Sequence, residues 1–218
     1  MPGARPLDHA ELAYINRTSD FFGIDPYTAT VVSPADEGIE ACAKNHSASN
    51  SLFPFCVNQE TTNQFGWNIG YRSVSYVYIT PTYFREYLSY LWNTFKTPVF
   101  VSEFGFPVYG EASKELSDQL FDSPRSVYYA SFMQEILKSI YEDGVHVMGA
   151  LAWSFMDNWE FGDYASQFGI QKVCSTMKSQ LTEFRLKASQ VNRTTQQRYY
   201  KKSFFDLVDF VKTRQRSR

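Results

Sequence analysis

Carboxylate and aromatic side chains follow three apolar segments of the sequence, at the point where each segment ends. The first segment runs into Asp25 and Tyr27, the second delivers Glu103, and the third is followed by Trp153 and Glu160. Carboxylates and a phenol exchange hydrogen bonds with hydroxyl groups, and an indole covers the apolar face of a sugar ring. Singly, Glu103 can cap a turn and Glu160 can be a surface acid, but together these residues indicate a site for a polyhydroxylated ring.

The three apolar segments, at residues 21–27, 99–102 and 145–155, are predicted to be buried strands. Amphipathic helices are predicted between them, over about residues 82–95 and from the Ser-Pro pair at 123–124 to Gly144. Strand, helix, strand, helix, strand is the order of a parallel α/β sheet. Because loops at the carboxyl ends of parallel strands converge, we expect the strand-end side chains to meet.

A last helix is predicted over about residues 202–212. The apolar spacing there predicts an inward face made of Phe204, Phe205, Val208 and Val211. Between the first strand and the first long helix lies a polar stretch, residues 33–75, which is predicted to be a long strand-to-helix loop. Its aromatic residues Trp67 and Tyr71 either line the mouth of a pocket or pack against the domain.

The composition of the chain argues against two classes of binding partner, nucleic acids and membranes. It has 218 residues, of which 44% are hydrophobic and 17% aromatic, and a net charge of -2. This mild acidity argues against a nucleic-acid partner. No N-terminal segment has the pattern of a secretory leader, and no apolar run approaches membrane-spanning length, so we expect a cytoplasmic chain with no membrane partner.

The cysteines and histidines show no metal-ligand spacing, so neither a metal nor another cofactor is predicted. Cys42 and Cys56 lie in one polar stretch, where they either form a disulfide or remain free thiols. The triplets that begin at Asn16, Asn45 and Asn192 match the N-glycosylation pattern, but without a leader they carry little weight.

Four segments of the sequence resemble the C-terminal part of a fungal glycoside hydrolase family 1 β-glucosidase. They are "DFFGIDPYT", "VSEFGF", "DGVHVMGALAWSFMDNWEF" and "VNRTTQQRYYKKSFFDLVDF". The resemblance implies an α/β fold that is part of a TIM (β/α)8 barrel, with about three of its eight strands, in one domain over residues 1–218. It also implies retaining hydrolysis of β-D-glucosides in carbohydrate metabolism, with a β-glucoside or small sugar as ligand.

The resemblance assigns roles to six residues. Glu103, in "SEFG", matches the nucleophile, and Tyr27 matches the tyrosine that hydrogen-bonds it. The other four match residues of the sugar pocket: Trp153, Glu160, Phe161 and Phe168. Three positions depart from the family pattern, because Asp25 and Phe104 stand where Asn is common and Phe161 replaces a tryptophan. These departures bear on which substrate is preferred more than on the catalytic mechanism.

The acid/base partner of the nucleophile lies in an "NEP" motif in this family, and no Asn-Glu-Pro occurs in this sequence. A retaining site needs two carboxyl groups roughly 5 Å apart. We therefore expect the 218-residue chain to be inactive by itself. Two other functions stay open: a non-catalytic sugar-binding module, and a half-barrel that complements a separately encoded N-terminal half.

Residues 173–190 interrupt the family pattern, which passes from "FGIQ" almost directly into "VNRTTQ". The segment is either a translated intron, since its ends can be encoded by splice-site sequences, or a genuine insertion with Met177, Leu181 and Phe184 at helical spacing. We favour the intron, and the spliced transcript would decide between them.

Overall fold

The computed structural model describes residues 5–16, 18–162, 164–173 and 198–215. The helices are α1 (His9–Ile15), α2 (Ile39–Lys44), α3 (Pro81–Phe95), α4 (Leu116–Leu120), α5 (Ser123–Tyr141) and α6 (Lys202–Arg214). The strands are β1 (Phe22–Ile24), β2 (Val31–Pro34), β3 (Val57–Glu60), β4 (Tyr71–Arg72), β5 (Tyr78–Ile79), β6 (Val99–Phe104), β7 (Val147–Ala152), β8 (Gln171–Val173) and β9 (Arg198–Tyr200). Residues 174–190 of the interrupting segment lie outside the described residues.

A three-stranded parallel sheet in the order β1–β6–β7 forms the centre of the fold. Ile24 of β1 pairs in register with Val101 of β6, and Ala150 of β7 pairs with Val101 from the other side. The strand–helix–strand–helix–strand order predicted from the sequence is therefore confirmed. The strands are shorter or longer than predicted by up to three residues at an end, as expected for local patterns.

Two long helices connect the three strands and cover one face of the sheet. Helix α3 begins with Pro81 in its first turn and buries Phe84, Leu88 and Leu91, which recur at helical spacing. Helix α5 buries Phe132 and Ile136 against the same core. Its N-cap is Asp122, one residue before the predicted Ser123, and the Asp122 carboxylate makes no capping hydrogen bond but accepts one from the Ser203 N–H instead.

The inward face predicted for α6 is partly wrong. Phe210 is buried, and Phe204 and Leu207 pack against the core, whereas Phe205 and Val211 are exposed by 59% and 40%. Helix α6 packs on α5. Burial of Lys201 and Ser203 at its start fixes the rotation of the helix, so that the predicted apolar stripe is turned partly toward solvent.

The stretch at residues 33–75 differs from the predicted loop because it carries elements of its own. Strands β2 and β3 form an antiparallel pair, and β4 pairs with β5 just beyond the stretch. Between β2 and β3, a disulfide joins Cys42 and Cys56, so the bonded alternative is the one the structure shows. No helix among the described residues is long and apolar enough to cross a membrane.

Candidate active site

Adjacent strands bring Tyr27 and Glu103 together at the carboxyl end of the parallel sheet. Tyr27 lies three residues beyond the end of β1, and Glu103 is the second-last residue of β6. The Tyr27 hydroxyl donates a hydrogen bond of 2.8 Å to Oε2 of Glu103. Burial and then this hydrogen bond raise the pKa of Tyr27 far above its ordinary value, so the phenol stays protonated and remains a donor. The contact leaves Oε1 of Glu103 for other chemistry.

The end of β7 supplies the second pair of side chains. The indole Nε1 of Trp153 donates to Oε1 of Glu160 at 2.9 Å. Trp153 itself is held through its backbone, because its N–H donates to the Phe104 carbonyl and its carbonyl accepts from the Tyr129 hydroxyl, both at 2.8 Å. The peptide between Trp153 and Ser154 is cis. The indole is thus fixed at both its backbone and its ring nitrogen.

Gly105 allows β6 and the end of β7 to approach closely. A Cβ atom at this position would lie 1.9 Å from the Trp153 carbonyl oxygen, which is far inside van der Waals contact. Gly105 directly follows β6, the strand that carries Glu103. Only glycine leaves room at this position for the backbone of Trp153. The "EFG" sequence thus determines how near the two strand ends come.

One cavity of about 370 Å³ lies among these strand-end residues. The structure places all six predicted site residues along its wall, together with two more; the eight are Asp25, Tyr27, Tyr76, Glu103, Trp153, Glu160, Phe161 and Phe168. Phe168 is buried and meets the Tyr27 ring edge-on, with centroids 5.8 Å apart. Phe161 is 97% exposed and has a positive φ of 44°. The roles that the resemblance assigns to these residues stay predictions.

Tyr76 is the pocket residue that the sequence analysis missed. Its ring lies 6.1 Å from that of Tyr27, and burial, then the charges of Glu160 and Glu103, raise its pKa. A signal was present, since an aromatic residue stands directly after the polar stretch and before a helix-starting proline. The aromatic residues proposed within that stretch do not line the cavity: Trp67 is 74% exposed, and the ring of Tyr71 packs near Phe106.

Asp25 also lines the cavity, and its carboxylate is fixed by the neighbouring strand. The hydroxyl of Ser102, one residue before Glu103, lies 2.8 Å from Oδ1 of Asp25 and 3.1 Å from the Ile24 carbonyl, two acceptors that share its single proton. This hydroxyl therefore ties the end of β1 to β6 just below the Tyr27–Glu103 pair.

A buried cluster of charged side chains supports the loops of the pocket. Arg125 is fully buried and forms ion pairs with Glu111 and Asp122, while Lys201 forms ion pairs with Glu111 at 2.6 Å and Asp157 at 2.9 Å. These five residues come from the loop after β6, from α5, from the loop after β7 and from the start of α6. Asp157 belongs to this cluster and is absent from the cavity wall, although it lies between Trp153 and Glu160 in the sequence.

Opposing charges compensate one another in the cluster. Burial acts to raise the pKa of Glu111, but the charges of Arg125 and Lys201 outweigh it and hold the pKa below its ordinary value. For Asp157, burial dominates and raises the pKa, even though Lys201 opposes it. The Asp157 Oδ1 atom also accepts the Gly169 N–H at 3.0 Å, next to Phe168 of the pocket. Through this contact the cluster supports the loop that carries Phe168 at the cavity.

The described parts of the chain contain no group of three or more His, Cys, Asp and Glu side chains placed to hold a metal ion. The arrangement offers acid, phenol and indole groups around a small cavity. It can orient one carboxylate toward an electrophilic carbon and hold hydroxyl groups of a ring.

Comparison with known proteins agrees with this geometry. The sequence model described as "Glycosyl hydrolase family 1" matches residues 3–215. The chain belongs to glycosyl hydrolase family 1. Among curated family members, it is 32% identical over 165 residues to β-glucosidase 1B of Phanerodontia chrysosporium, and 32% identical over 170 residues to β-glucosidase 34 of Oryza sativa subsp. japonica. Each match covers 75% of this chain.

Solved structures of family members share the fold of this chain. It superposes on β-glucosidase 2 of Trichoderma reesei, determined in complex with Tris, with a TM-score of 0.76, 24% identity and 96% of this chain covered. A family 1 β-glucosidase of Humicola insolens in complex with glucose gives a TM-score of 0.75. The predicted fold class, an α/β portion of a TIM barrel, is confirmed. This family 1 chain spans 28–32% of the two curated relatives and 40% of the Trichoderma structure.

Proposed function

We propose that this chain carries the nucleophile side of a retaining β-glucosidase, which hydrolyses the O-glycosyl bond of β-D-glucosides, with Glu103 as the nucleophile. The hydrogen bond from Tyr27 to Glu103 carries this proposal, because it holds Oε2 of the carboxylate at the cavity wall, while no hydrogen bond among the described residues engages Oε1. The names of the relatives, which are β-glucosidases from fungi and plants, support the substrate class.

In the first step, the free oxygen of Glu103 forms a bond to the anomeric carbon of the glucoside while the glycosidic C–O bond breaks. The departing oxygen takes its electron pair and receives a proton from a second carboxyl group. In the next step, water gives a proton to that second group and bonds to the anomeric carbon, while the bond from this carbon to Glu103 breaks and the carboxylate is regenerated. Throughout, the protonated Tyr27 keeps the carboxylate in one orientation.

The sugar would be held by the opposite wall of the cavity. The Trp153 indole provides a flat apolar surface, and Glu160 has one oxygen engaged with the indole N–H and a second oxygen that can accept hydrogen bonds from sugar hydroxyls. Phe168 and Phe161 close the apolar side. This division of labour accounts for the mixture of acids and rings at the three strand ends.

The acid/base group of the reaction is proposed to come from an N-terminal half of the fold, since family members carry it in an "NEP" motif that this sequence lacks. Loss of general acid–base assistance typically lowers the rate by about 10²- to 10⁴-fold. We therefore propose that the 218-residue chain does not turn over ordinary glucosides alone.

A second candidate function, a half-barrel that complements a separately encoded N-terminal half, is favoured by one observation on the sheet. In the part of the chain that the structure describes, β1 and β7 are its two edge strands, and Met148 and Leu151 on β7 are each 56% exposed. Open edges and exposed apolar side chains seek a partner. A separately encoded N-terminal half would cover them.

A mechanism-based label tests the nucleophile without needing the acid/base group. The reagent is a dinitrophenyl β-glucoside that carries fluorine at C2, the carbon next to the anomeric carbon. Its dinitrophenolate leaves without being protonated, and the fluoroglucosyl ester that it forms on the protein is hydrolysed slowly. We expect the intact mass to rise by one fluoroglucosyl group, located on Glu103 by peptide mapping, and no labelling of Glu103→Ala. A label on any other residue, or an unlabelled chain that nevertheless binds glucose, would contradict the role of Glu103.

The same samples separate complementation from sugar binding without catalysis. Hydrolysis of an ordinary nitrophenyl β-glucoside should be absent for the chain alone and should appear on mixing with an N-terminal half that contains the "NEP" motif. Glucose binding with no labelling, either alone or after mixing, would favour the sugar-binding module.

A further inference from the structure

The segment between Cys42 and Cys56 forms a small unit of its own, which we call the disulfide unit. Both cysteines are buried, and they form a separate apolar cluster with Ala35 and Leu52. So small a cluster buries little apolar surface, and the cross-link therefore contributes much of its stability. Protein disulfides persist in oxidising compartments and are rare in the cytosol. The disulfide unit therefore favours a secretory compartment over the cytoplasmic one expected in the sequence analysis.

A glycosylation triplet, Asn45-His46-Ser47, lies inside the disulfide unit. Asn45 is the C-cap residue of α2, and all three residues are exposed. The Asn45 Oδ1 atom accepts the Ser47 N–H at 3.2 Å, which forms a turn with the side-chain amide outside the helix. The Asn-x-Ser pattern in an exposed loop is the acceptor of N-linked oligosaccharide.

The surroundings of Asn45 hold the turn in place without using its side-chain nitrogen in any contact among the described residues. Asn50 donates through Nδ2 to the Asn45 carbonyl at 2.8 Å and to the Cys42 carbonyl at 3.0 Å. The His46 ring packs against Phe53, with centroids 4.9 Å apart. The turn that presents Asn45 is thus built on the same unit that the disulfide closes.

Other triplets are less completely described. Asn16 is exposed at the end of α1, but residue 17 of its triplet lies outside the described residues, and so does Asn192. The residues that line the site cavity do not include any from the disulfide unit. An oligosaccharide on Asn45 would therefore not occupy the cavity itself.

We propose that Asn45 is an N-glycosylation site and that it is modified in the oxidising compartment in which Cys42 and Cys56 become bonded. In the modification, Nδ2 of Asn45 forms a bond to the anomeric carbon of a lipid-pyrophosphate-linked oligosaccharide. The bond from that carbon to the pyrophosphate oxygen breaks, the lipid pyrophosphate leaves with the electron pair, and the amide loses one proton. In the disulfide step, the two thiols give two electrons and two protons to the disulfide of a thiol oxidoreductase, which becomes a dithiol.

Mass spectrometry of the chain isolated from the organism that encodes it tests both parts. Digestion without reduction, followed by peptide N-glycosidase in heavy-oxygen water, should yield cross-linked Cys42 and Cys56 peptides with Asn45 converted to heavy-labelled aspartate. Expression in the same organism of Asn45→Gln and Ser47→Ala should each abolish the conversion at residue 45. The exposed Asn93 of α3, which is outside any such triplet, provides the control Asn93→Gln, which should leave it unchanged.

An unmodified Asn45 would overturn the proposal, whatever the state of the cysteines. Cysteines that are both alkylated without reduction would overturn it too, because they would place the chain in a reducing compartment. Neither outcome depends on catalysis, so failure here is distinguishable from failure of the proposed glucosidase function.

Discussion

Tyr27 and Glu103 are separated by 76 residues in the sequence and joined by a 2.8 Å hydrogen bond at the carboxyl end of the parallel sheet. The parallel pairing of β1 with β6 brings them together, and the Ser102 hydroxyl ties the same two strand ends one residue earlier. The bond defines which oxygen of Glu103 is held. It is therefore the contact at which the proposed chemistry is most directly tested.

Substitution of Tyr27 by Phe should slow the labelling of Glu103 by the fluorinated glucoside about 10- to 100-fold. A hydrogen bond to a charged group contributes roughly 1.5–3 kcal/mol, and each 1.4 kcal/mol is about tenfold in rate. The measurement is the first-order labelling rate by intact mass. Tyr90→Phe, on the exposed side of α3, should leave the rate unchanged. Equal rates for both variants would mean that Tyr27 does not orient the carboxylate.

Trp153→Phe should weaken glucose binding about tenfold, because it removes both the larger ring and the N–H that holds Glu160. The dissociation constant would be measured by calorimetry. Trp159→Phe is the matched control, since Trp159 lies six residues further along, is 58% exposed and packs on Tyr164. Loss of affinity in the Trp159 variant alone would move the sugar site away from the cavity described above.

Lys201→Met should lower the free energy of unfolding by about 3–5 kcal/mol, because it leaves Glu111 and Asp157 buried without their shared cation. The neighbouring Lys202→Met should change it by less than about 1 kcal/mol, since Lys202 pairs with Asp206 at the surface of α6. Urea denaturation of the two variants makes the comparison. Similar losses for both would show that the cluster is not a principal source of stability.

The lowered pKa of Glu111 predicts a loss of stability in acid. A carboxyl group whose pKa is lower in the folded chain stabilises it at pH values above the unfolded pKa, and this stabilisation is lost as pH falls through the folded pKa. Asp157, whose pKa burial raises, contributes with the opposite sign in both wild type and variant. The difference in free energy of unfolding between wild type and Glu111→Gln should therefore shrink as the pH falls from neutral to strongly acidic values. A difference independent of pH would contradict this assignment.

Gly105→Ala should destabilise the chain by about 3 kcal/mol or more, because the added Cβ collides with the Trp153 carbonyl and that backbone must move. Gly23→Ala provides a control at the neighbouring strand, where the new Cβ would meet atoms at 3.6 Å and 3.8 Å, so a change within about 1 kcal/mol is expected. Thermal unfolding of both variants, together with the labelling of Glu103, would show whether the strand ends have separated.

Local patterns in the sequence were sufficient for the three central strands, for helices α3, α5 and α6, and for most of the candidate pocket residues. Helix α3 is encoded by apolar residues three and four apart, with Pro81 at its start, and the strands by short apolar runs. The residues after each strand then follow from topology, because parallel strands present their carboxyl ends at one edge. Glu103, Trp153 and Glu160 could therefore be named, and the family motifs added Phe161 and Phe168.

Features that depend on distant partners could not be found in this way. Rotation of α6 is determined by Ser203, which donates to Asp122 from 81 residues away, and this turns Phe205 outward. Whether Asp157 faces a sugar or a lysine depends on Lys201, 44 residues further along. The rotation of α6 and the partner of Asp157 both depend on which groups become buried together, and these groups lie far apart in the sequence.

By itself, then, the sequence determined the order of the three central strands and of helices α3, α5 and α6, the family, and the acids and rings gathered at the strand ends. These properties are written in neighbouring residues, whose periodicity and turn chemistry act locally. Only the tertiary structure decided that Tyr76 joins the cavity, that Cys42 bonds Cys56, and which oxygen of Glu103 is held. Those outcomes depend on distances between atoms far apart in the chain, which become defined when the core packs and its charges are paired.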